Sequence, residues 1–523
     1  MIVRSPFPDV EIPEGPLTPF VLRHAERLAN KPALIDGATG RMLTYGALAA
    51  QVEQAARGLA AHGLRKGDVC VICAPSSLEY VVAFHAIASH GGIVSPINPA
   101  DTPEEIVNHV HNVDARYLIT GPALMDRASD AVRQCRLQER FVFGERPGAI
   151  TFASLLRNDG SLPRQTINPR EDVVVLLRSS GTTGLPKHVM LTHFNLVAFV
   201  SQLIAAGEGA EDDNLPGHLP FFHLFGVGIT MAMGLAVGAT SVLLERFEWE
   251  PFLRLLQDYR VTRAYLVPPL VVKLAKDSAV DAYDLSHLAT IVCGAAPLGQ
   301  DIARACARRL DCRVKQLYGM TETGVTHLAP DDVDPGKVGS VGPCTPNTEC
   351  KVVAVSSGRE VDWGEQGELW VRTPVMMKGY LNRPDATAAT IDAEGWLHTG
   401  DIGYVDDEGY FTIVDRLKEL IKYKGHQVAP AELEAVLLSH PAVADAAVIP
   451  SPDEDAGEVP KAFIVLKADA TPDELMAFVA TRSGPHNKVR RIEFVDQIPR
   501  SPSGKILRRV LVERERAALL VSA

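Results

Sequence analysis

Ser179-Ser180-Gly181-Thr182-Thr183-Gly184-Leu185-Pro186-Lys187-His188 follows an unbroken apolar run over residues 173–177. The run has the length of a buried strand, and the stretch after it has the chemistry of a loop that holds a polyphosphate. Gly181 and Gly184 allow close backbone approach. The hydroxyls of Ser179, Ser180, Thr182 and Thr183 can donate to phosphate oxygens, and Lys187 adds a compact positive charge. Such a loop at the end of a strand in a parallel sheet points to an α/β fold and to a nucleotide. The spacing differs from the common phosphate loop of kinases and GTPases, which needs Lys directly after Gly and before Ser or Thr; here Leu185 and Pro186 intervene. A Ser/Thr/Gly cluster is by itself also the composition of a flexible turn, so the reading depends on what accompanies it.

Outward from this stretch the chain keeps a βαβ rhythm. Upstream, residues 45–62 are Ala-rich and amphipathic, 69–74 read as a strand, 77–89 as a helix and 92–96 as a strand. Downstream, 264–267, 290–293 and 313–317 read as short strands, each followed by a loop with Gly or Pro. Residues 222–244 approach membrane-spanning length with only His223 as a titratable group, but glycines at 226, 228, 234 and 238 break them. They are expected to form a buried helix ending near Val237, a turn, and a strand over 241–244. After Gly336 the pattern becomes short alternating strands, as at 368–372 and 411–414, expected as a small β-barrel or sheet. From about Arg416 an α+β unit begins, with a helix over 430–439 and strands over 443–449 and 462–466. The expected division is a large N-terminal domain, 1–415, with subdomains of about 1–170, 171–335 and 336–415, and a small C-terminal domain, 416–523.

The 523 residues exceed one ordinary core. The 52 basic and 64 acidic residues leave a formal charge of −12, and no long Lys/Arg run appears, which argues against nucleic acid as the main partner. A nucleotide would have to be held by local groups. The closest of the eight cysteines, Cys70 and Cys73, lie in an apolar strand, as buried structural thiols do. The N-terminal segment, with Pro at 6, 8, 13 and 16, lacks the apolar core of a signal peptide, so a cytoplasmic location is expected.

Other segments carry chemistry. Residues 316–324, Gln-Leu-Tyr-Gly-Met-Thr-Glu-Thr-Gly, offer an aromatic ring for a purine and an acidic group, Glu322, for Mg²⁺. Taken alone they read equally as a strand-to-helix turn. His398-Thr399-Gly400-Asp401 precedes a strand and would set Asp401 in a loop, where a carboxylate can accept ribose hydroxyls. Asp415-Arg416-Leu417-Lys418, then Lys422 and Lys424, fall where the domain changes. Gly504-Lys505 lies at the tip of a stiff Pro/Ser loop, ordinarily the setting of a surface lysine. His223 stands among aromatics, a setting that more often holds a core histidine.

All these elements occur together and in order, and in that arrangement the chain resembles the adenylate-forming superfamily, which includes acyl-CoA synthetases, 4-coumarate:CoA ligases, luciferases and peptide-synthetase adenylation domains. The likeness runs from Leu43-Thr44-Tyr45 through residues 294–299, Gly-Ala-Ala-Pro-Leu-Gly, to Lys505. It is strongest to the 4-coumarate:CoA and medium-chain acyl-CoA ligase branch, through residues 421–430, Ile-Lys-Tyr-Lys-Gly-His-Gln-Val-Ala-Pro. The resemblance implies an acyl-CoA ligase that joins a small carboxylic acid to AMP at the cost of ATP, with Mg²⁺, and then passes the acyl group to CoA. The acid would be a medium-chain fatty acid or an aryl or cinnamic-type acid. An acyl-AMP ligase serving a carrier protein and a non-enzymatic nucleotide-binding protein on the same scaffold are the alternatives. A monomer or homodimer without transmembrane segment is expected.

By resemblance, residues 179–187 hold the phosphates, Thr183 and Glu322 place Mg²⁺, Gln316, Tyr318, Gly319 and Thr321 surround the adenine, and Asp401 and Arg416 hold the ribose. Lys505 bridges the acid and the α-phosphate. The C-terminal domain swings about a hinge near Lys418 and brings Lys422 and Gln427 to the site for the second step. His223 is a further catalytic candidate, and Leu224, Phe225, Gly228, Val292, Ala295, Gly319, Val325 and Thr326 line the acyl pocket, with His327 nearby. Two positions depart from the family pattern. His188 stands where Gly is usual, and a β-carbon there would cost about 1 kcal/mol if the backbone needed positive φ. Phe225 stands where plant 4-coumarate ligases place a Tyr for the phenolic hydroxyl, so a less polar acid is expected.

Overall fold

In the computed structural model the apolar run opens a strand, Val173–Ser179, and Lys187 opens the next, Lys187–Thr192. The structure describes residues 1–125, 135–158, 160–161, 165–179, 187–424, 426–453, 455–484, 486–501 and 504–522. Ser180, Gly181, Thr182, Thr183 and Gly184, read as phosphate ligands, lie outside the described residues. Val174, Val175 and Leu177 are fully buried, as a strand with neighbours on both faces requires. Val173–Ser179 has a parallel neighbour, Ile93–Pro96, on one side and the antiparallel Lys187–Thr192 on the other, with Lys187 opposite Ser179 and His188 opposite Arg178. The loop therefore joins the two arms of a hairpin, at the place where a parallel sheet turns antiparallel.

That sheet has eight strands among the described residues, ordered Gly379–Tyr380, Lys187–Thr192, Val173–Ser179, Ile93–Pro96, Val69–Cys73, Tyr117–Thr120, Glu139–Val142, Ile150–Thr151. A second sheet pairs Asn214–Gly217 and Thr240–Leu243 with Pro32–Asp36 and Met42–Thr44. A third runs Arg263–Leu266, Thr290–Cys293, Arg313–Met320, Gly324–Leu328. Sheet membership thus crosses residue 170 in both directions. Parallel partners need long crossover connections, so neighbours in the sheet are distant in the chain.

The largest core cluster lies where these layers meet. Helix Leu78–Ser89 is buried nearly all round, and Ser77 caps its N-terminus by accepting from the Tyr80 N–H at 3.2 Å. Helix His193–Ala205 opens with a capping box between Thr192 and Asn195. Against it packs Gly226–Gly234, a π-helix that continues as Leu235–Val237 and stops at Gly238, φ 90°. The buried helix expected over this stretch is thus present in wider winding. Gly228 makes it fit, since a β-carbon there would lie 2.5 Å from the Phe199 ring. Gly228, expected to line the acyl pocket, is instead the point of contact between two helices. No helix among the described residues is long and apolar enough to cross a membrane.

The region after Gly336 forms an antiparallel sheet of five strands, Ile2–Arg4, Glu349–Val353, Gly367–Arg372, Leu397–Val405 and Phe411–Arg416, so the N-terminus supplies an edge. The C-terminal unit is a further five-stranded sheet built on the long hairpin Val443–Asp453 and Gly457–Leu466. It is covered by helices Pro430–Ser439 and Pro472–Ala480, each with proline in its first turn.

Candidate active site

A cleft of about 2210 Å³ separates the large domain from the C-terminal unit, lined on one side by Ala295, Tyr318, Asp401 and Arg416 and on the other by Glu434 and Lys505. It exceeds the roughly 300–1,000 Å³ of an ordinary ligand pocket, so it has room for a nucleotide and a second substrate.

One wall is the third sheet and its neighbour. Strand Arg313–Met320 runs on through Tyr318 and Gly319 and pairs antiparallel with Gly324–Leu328. The expected strand-to-helix turn is therefore a β-hairpin, with Thr321 and Glu322 in its bend. Asp401 also sits in a strand rather than a loop, directly opposite Arg416. The two side chains meet, Arg416 Nε to Asp401 Oδ1 at 3.1 Å, while the Tyr318 hydroxyl donates to Asp401 Oδ2 at 2.6 Å. Burial raises the Asp401 pKa against the opposing pull of Arg416, and burial with the neighbouring Asp401 holds the Tyr318 phenol well above its usual value. The pair is a fixed acceptor beside an aromatic ring.

Gln316 does not join them. Its amide nitrogen donates to Leu298 O at 3.2 Å and Val338 O at 2.9 Å, and its oxygen accepts from Leu298 N–H at 3.1 Å. Expected as an adenine contact, it fastens the 294–299 loop and lines the cleft beside Tyr318. In that loop Ala295 has φ 74°, a left-handed conformation that costs an L-residue about 1 kcal/mol, and it lines the cleft.

Glu322 is buried, and its carboxylate accepts the Tyr380 hydroxyl at 2.9 Å. Lys187 places its ammonium 4.4 Å from the centre of the same Tyr380 ring. Tyr380 thus joins the lysine that follows the phosphate loop to the expected metal ligand. It escaped sequence reasoning because its strand, Gly379–Tyr380, has two residues and no periodicity.

Lys505 closes the site from the C-terminal unit. Its turn is self-braced: Ser501 N–H donates to Lys505 O at 2.8 Å, and Arg500 donates to Gly504 O at 2.8 Å. Burial, then Arg416, lowers the Lys505 pKa, with Asp401, Glu322 and Glu419 pulling the other way. Lys505, expected by resemblance to bridge the acid and the α-phosphate, is half-buried and lines the cleft with Asp401 and Arg416. His223 feels the same ammonium: burial, then Lys505, pushes its pKa down to about 3, so it is neutral. Its Nδ1 accepts from the Phe225 N–H at 3.3 Å, which leaves the ring proton on Nε2.

Beside His223 lies an apolar wall. Phe225 meets Tyr265 edge-on, with ring centres 6.2 Å apart, and Leu224, Val292 and Val325 belong to the same core cluster. Leu317 joins them: a β-carbon on Gly294 would lie 2.5 Å from Leu317 Cδ1 and 3.5 Å from Phe225 Cζ. Leu317 was missed, although the alternation of strand 313–320 places it on the face of Gly319. Thr326, expected in the pocket, is fully buried behind it, with its hydroxyl 3.0 Å from His327 Nδ1. The polar side chains of Thr326 and His327 are thus paired with each other.

Lys422 and Gln427 stand opposite one another on a short hairpin, Ile421–Tyr423 with His426–Val428, and both are exposed. They are not among the groups around Lys505. His188 is in regular strand conformation without positive φ, so the conformational cost considered for it does not arise. It alternates with Lys187 along the strand, and its Nε2 lies 3.2 Å from His109 Nδ1.

These groups gather a half-buried ammonium and a carboxylate–guanidinium pair beside an aromatic ring around one cleft, with a second carboxylate and a neutral imidazole in electrostatic reach of the ammonium. Such a set can hold a nucleoside phosphate and neutralise charge that grows on it. Residues 21–381 match the model of the AMP-binding enzyme family, and residues 432–505 that of the AMP-binding enzyme C-terminal domain. The chain belongs to the AMP-binding enzyme family. It is 41% identical to a 4-coumarate–CoA ligase of Vanilla planifolia, over 99% of this chain and 97% of that protein, and 40% identical to 4-coumarate–CoA ligase 1 of Petroselinum crispum, over 98% and 97%. Its fold matches the anthranilate CoA ligase AuaEII in complex with anthranoyl-AMP, with a TM-score of 0.89 and 25% identity over 98% of this chain and 99% of that one. It also matches ATP-bound MatB from Rhodopseudomonas palustris, with a TM-score of 0.85 and 27% identity over 94% and 98%. The chain is an AMP-forming acid–CoA ligase, with ATP and CoA as co-substrates and Mg²⁺ as cofactor. Glu322 fits the metal: among the described residues its carboxylate receives one hydrogen bond, from Tyr380, which leaves oxygen lone pairs for a hard cation. Thr183, the other expected ligand, lies outside the described residues.

Proposed function

We propose that this ligase activates an aryl or cinnamic-type acid with an apolar ring, forming the acyl-adenylate and then the CoA thioester. The observation that carries the reading is the cleft in which Lys505 of the C-terminal unit shares a lining with the Asp401–Arg416 pair, Tyr318 and the apolar Leu317. In the first half-reaction a carboxylate oxygen of the acid attacks the α-phosphorus, the bond to the β-phosphate breaks, and pyrophosphate leaves. Negative charge grows on the α-phosphate, where Lys505 stabilises the transition state more than the ground state. Asp401 and Arg416 hold the ribose, Tyr318 flanks the adenine, and His223 directs its Nε2–H at the acid carboxylate. Lys187 and Glu322, joined through Tyr380, serve the phosphates and the Mg²⁺, which supplies charge neutralisation.

In the second half-reaction the CoA sulfur bonds to the acyl carbon, AMP leaves, and the thiol proton passes to water. For this we infer that the C-terminal domain turns about Lys418, removing Lys505 and presenting Lys422 and Gln427. The wall of Phe225, Leu317, Val292 and Val325 offers no partner to a phenol, and Thr326 and His327 are paired, which supports a ring without a hydroxyl-specific contact. The same apolar wall keeps a medium-chain fatty acid as the second reading. ATP–pyrophosphate exchange over cinnamic, 4-coumaric, benzoic and C4–C12 aliphatic acids, then CoA addition and mass detection of the thioester, tests both. Cinnamic acid should lead, with 4-coumaric acid no better. A sharp optimum among aliphatic acids would favour the second reading, and adenylate without any CoA thioester would point to a carrier protein as acceptor.

A further inference from the structure

Among the elements of the large domain that meet the C-terminal unit is one short helix, Pro268–Lys276. Its last residue, half-buried Lys276, reaches across the domain boundary to the C-terminal end of helix Pro430–Ser439. There its ammonium donates to Leu438 O, to Val443 O at 3.2 Å and to His440 O at 3.5 Å. The last carbonyls of a helix have no partner within it and carry the negative end of its dipole, so a cation in that position is favoured. No carboxylate among the described residues pairs with Lys276. Burial, then the Lys467 ammonium, lowers its pKa to about 8, as expected of a cation drawn out of water near a second cation.

The helix that Lys276 grips is also the support of the Lys505 turn. Glu434, in its middle, takes Arg508 Nη2 at 2.7 Å on both carboxylate oxygens, and Arg508 lies three residues after Lys505. The other end of the large-domain helix meets the same turn, since Val267, its N-cap, stands 3.0 Å from where a β-carbon of Gly504 would be. Between these two points Gly299 faces Ala435, with 3.1 Å between a β-carbon built at 299 and that of Ala435. One rigid element of nine residues thus touches the lysine turn at its start and grips the supporting helix at its end.

We propose that Lys276 is a positioning residue for adenylation: it latches the C-terminal domain in the orientation that presents Lys505, and it must release before thioester formation. This rests on the two-step reading above. The latch acts through Lys505 and touches no substrate, so its loss should divide the half-reactions rather than lower both. Lys276→Met should slow ATP–pyrophosphate exchange with cinnamic acid about tenfold, the scale of a charge-assisted hydrogen bond, while thioester formation from supplied cinnamoyl-AMP stays equal or rises. Lys276→Arg should restore most of the exchange. Ala435→Phe, a wedge in the same interface, should reproduce the division if the first variant does not fold. Backbone hydrogen exchange around Lys505 should quicken in Lys276→Met, a readout that needs no turnover. An equal fall in both half-reactions, or unchanged hydrogen exchange around Lys505 in the folded variant, would overturn the latch. A wild-type protein that forms no adenylate with any acid, yet shows the difference in hydrogen exchange, would overturn the reaction and leave the latch standing.

Discussion

The C-terminal domain carries two sets of polar groups, and they are placed in opposite ways. The Lys505 turn is enclosed against the large domain, braced by its own backbone and by Arg508 on Glu434. The hairpin with Lys422 and Gln427 has both side chains exposed. An amine drawn partly out of water among charged groups is costly unless it works there, whereas an exposed lysine on a hairpin costs nothing. The difference supports the proposed division of labour, in which the enclosed turn serves adenylation and the exposed hairpin serves the second step.

The sharpest way to break this contrast is to remove the enclosed amine. Lys505→Ala should lower adenylation about a thousandfold, the scale of losing a group aimed at developing charge, while thioester formation from supplied acyl-AMP stays within a few-fold of wild type. Pyrophosphate exchange and thioester mass detection read the two steps separately, and equal losses would remove the distinction between the faces. Next in size is the hinge. Lys418→Pro, which fixes φ at the expected pivot, should leave pyrophosphate exchange within about twofold and slow overall thioester formation about a hundredfold. Unimpaired overall turnover would place the pivot elsewhere.

Asp401→Asn sharpens the large-domain side. The amide keeps an acceptor for Tyr318 but loses the charge that Arg416 meets at 3.1 Å. A hydrogen bond to a charged group is worth roughly 1.5–3 kcal/mol, so KM for ATP should rise about ten- to a hundredfold with a smaller change in kcat. A change in kcat alone would move Asp401 from nucleotide grip to chemistry.

Local elements were legible where local physics decides them. The Ala-rich stretch after Thr44 is helix Tyr45–Ala61, capped by Thr44 on the Ala47 N–H, and Pro430 opens its helix as a proline in the first turn should. The pairing of Pro32–Asp36 with Thr240–Leu243 was not legible, because it closes a loop of some two hundred residues and leaves no mark in either strand. At the candidate site, Asp401, Arg416, Glu322 and Lys505 were nominated by the motifs that carry the family resemblance, and the structure brings Asp401, Arg416 and Lys505 to one cleft. Tyr380, Leu317 and the hold of Gln316 on Leu298 could not be nominated in this way, since each depends on what the side chain meets across the fold. Asp401 was expected in a loop before a strand, but Gly400, φ 69°, lies within the strand, where its pairing with Gly367–Arg372 is irregular.

The smallest expected effect is also the one that separates fold from function most finely. His188 stands next to Lys187, yet its Nε2 meets His109 Nδ1 at 3.2 Å, and His109 Nε2 lies 2.8 Å from Ser95 Oγ. Burial, then Arg178, pushes the His188 pKa down to about 4, and burial, then His188 and Arg178, holds His109 well below the usual value. Both are neutral at pH 7. The unfolded chain, with histidines near 6.5, takes up protons that the folded pair refuses. Their contribution to stability is therefore complete above pH 6.5 and is lost as the pH falls toward 4. His188→Gly removes the hydrogen bond, leaves His109 with one partner fewer, and puts glycine in a strand, so stability at pH 7.5 should fall by about 2 kcal/mol. Urea unfolding should also show a shallower loss on acidification than wild type, because one refusing group is gone, while KM for ATP stays within about twofold. A large change in ATP affinity with an unchanged unfolding midpoint would instead make His188 part of the phosphate site, and would extend the enclosed region of the contrast across the central hairpin to Ser95.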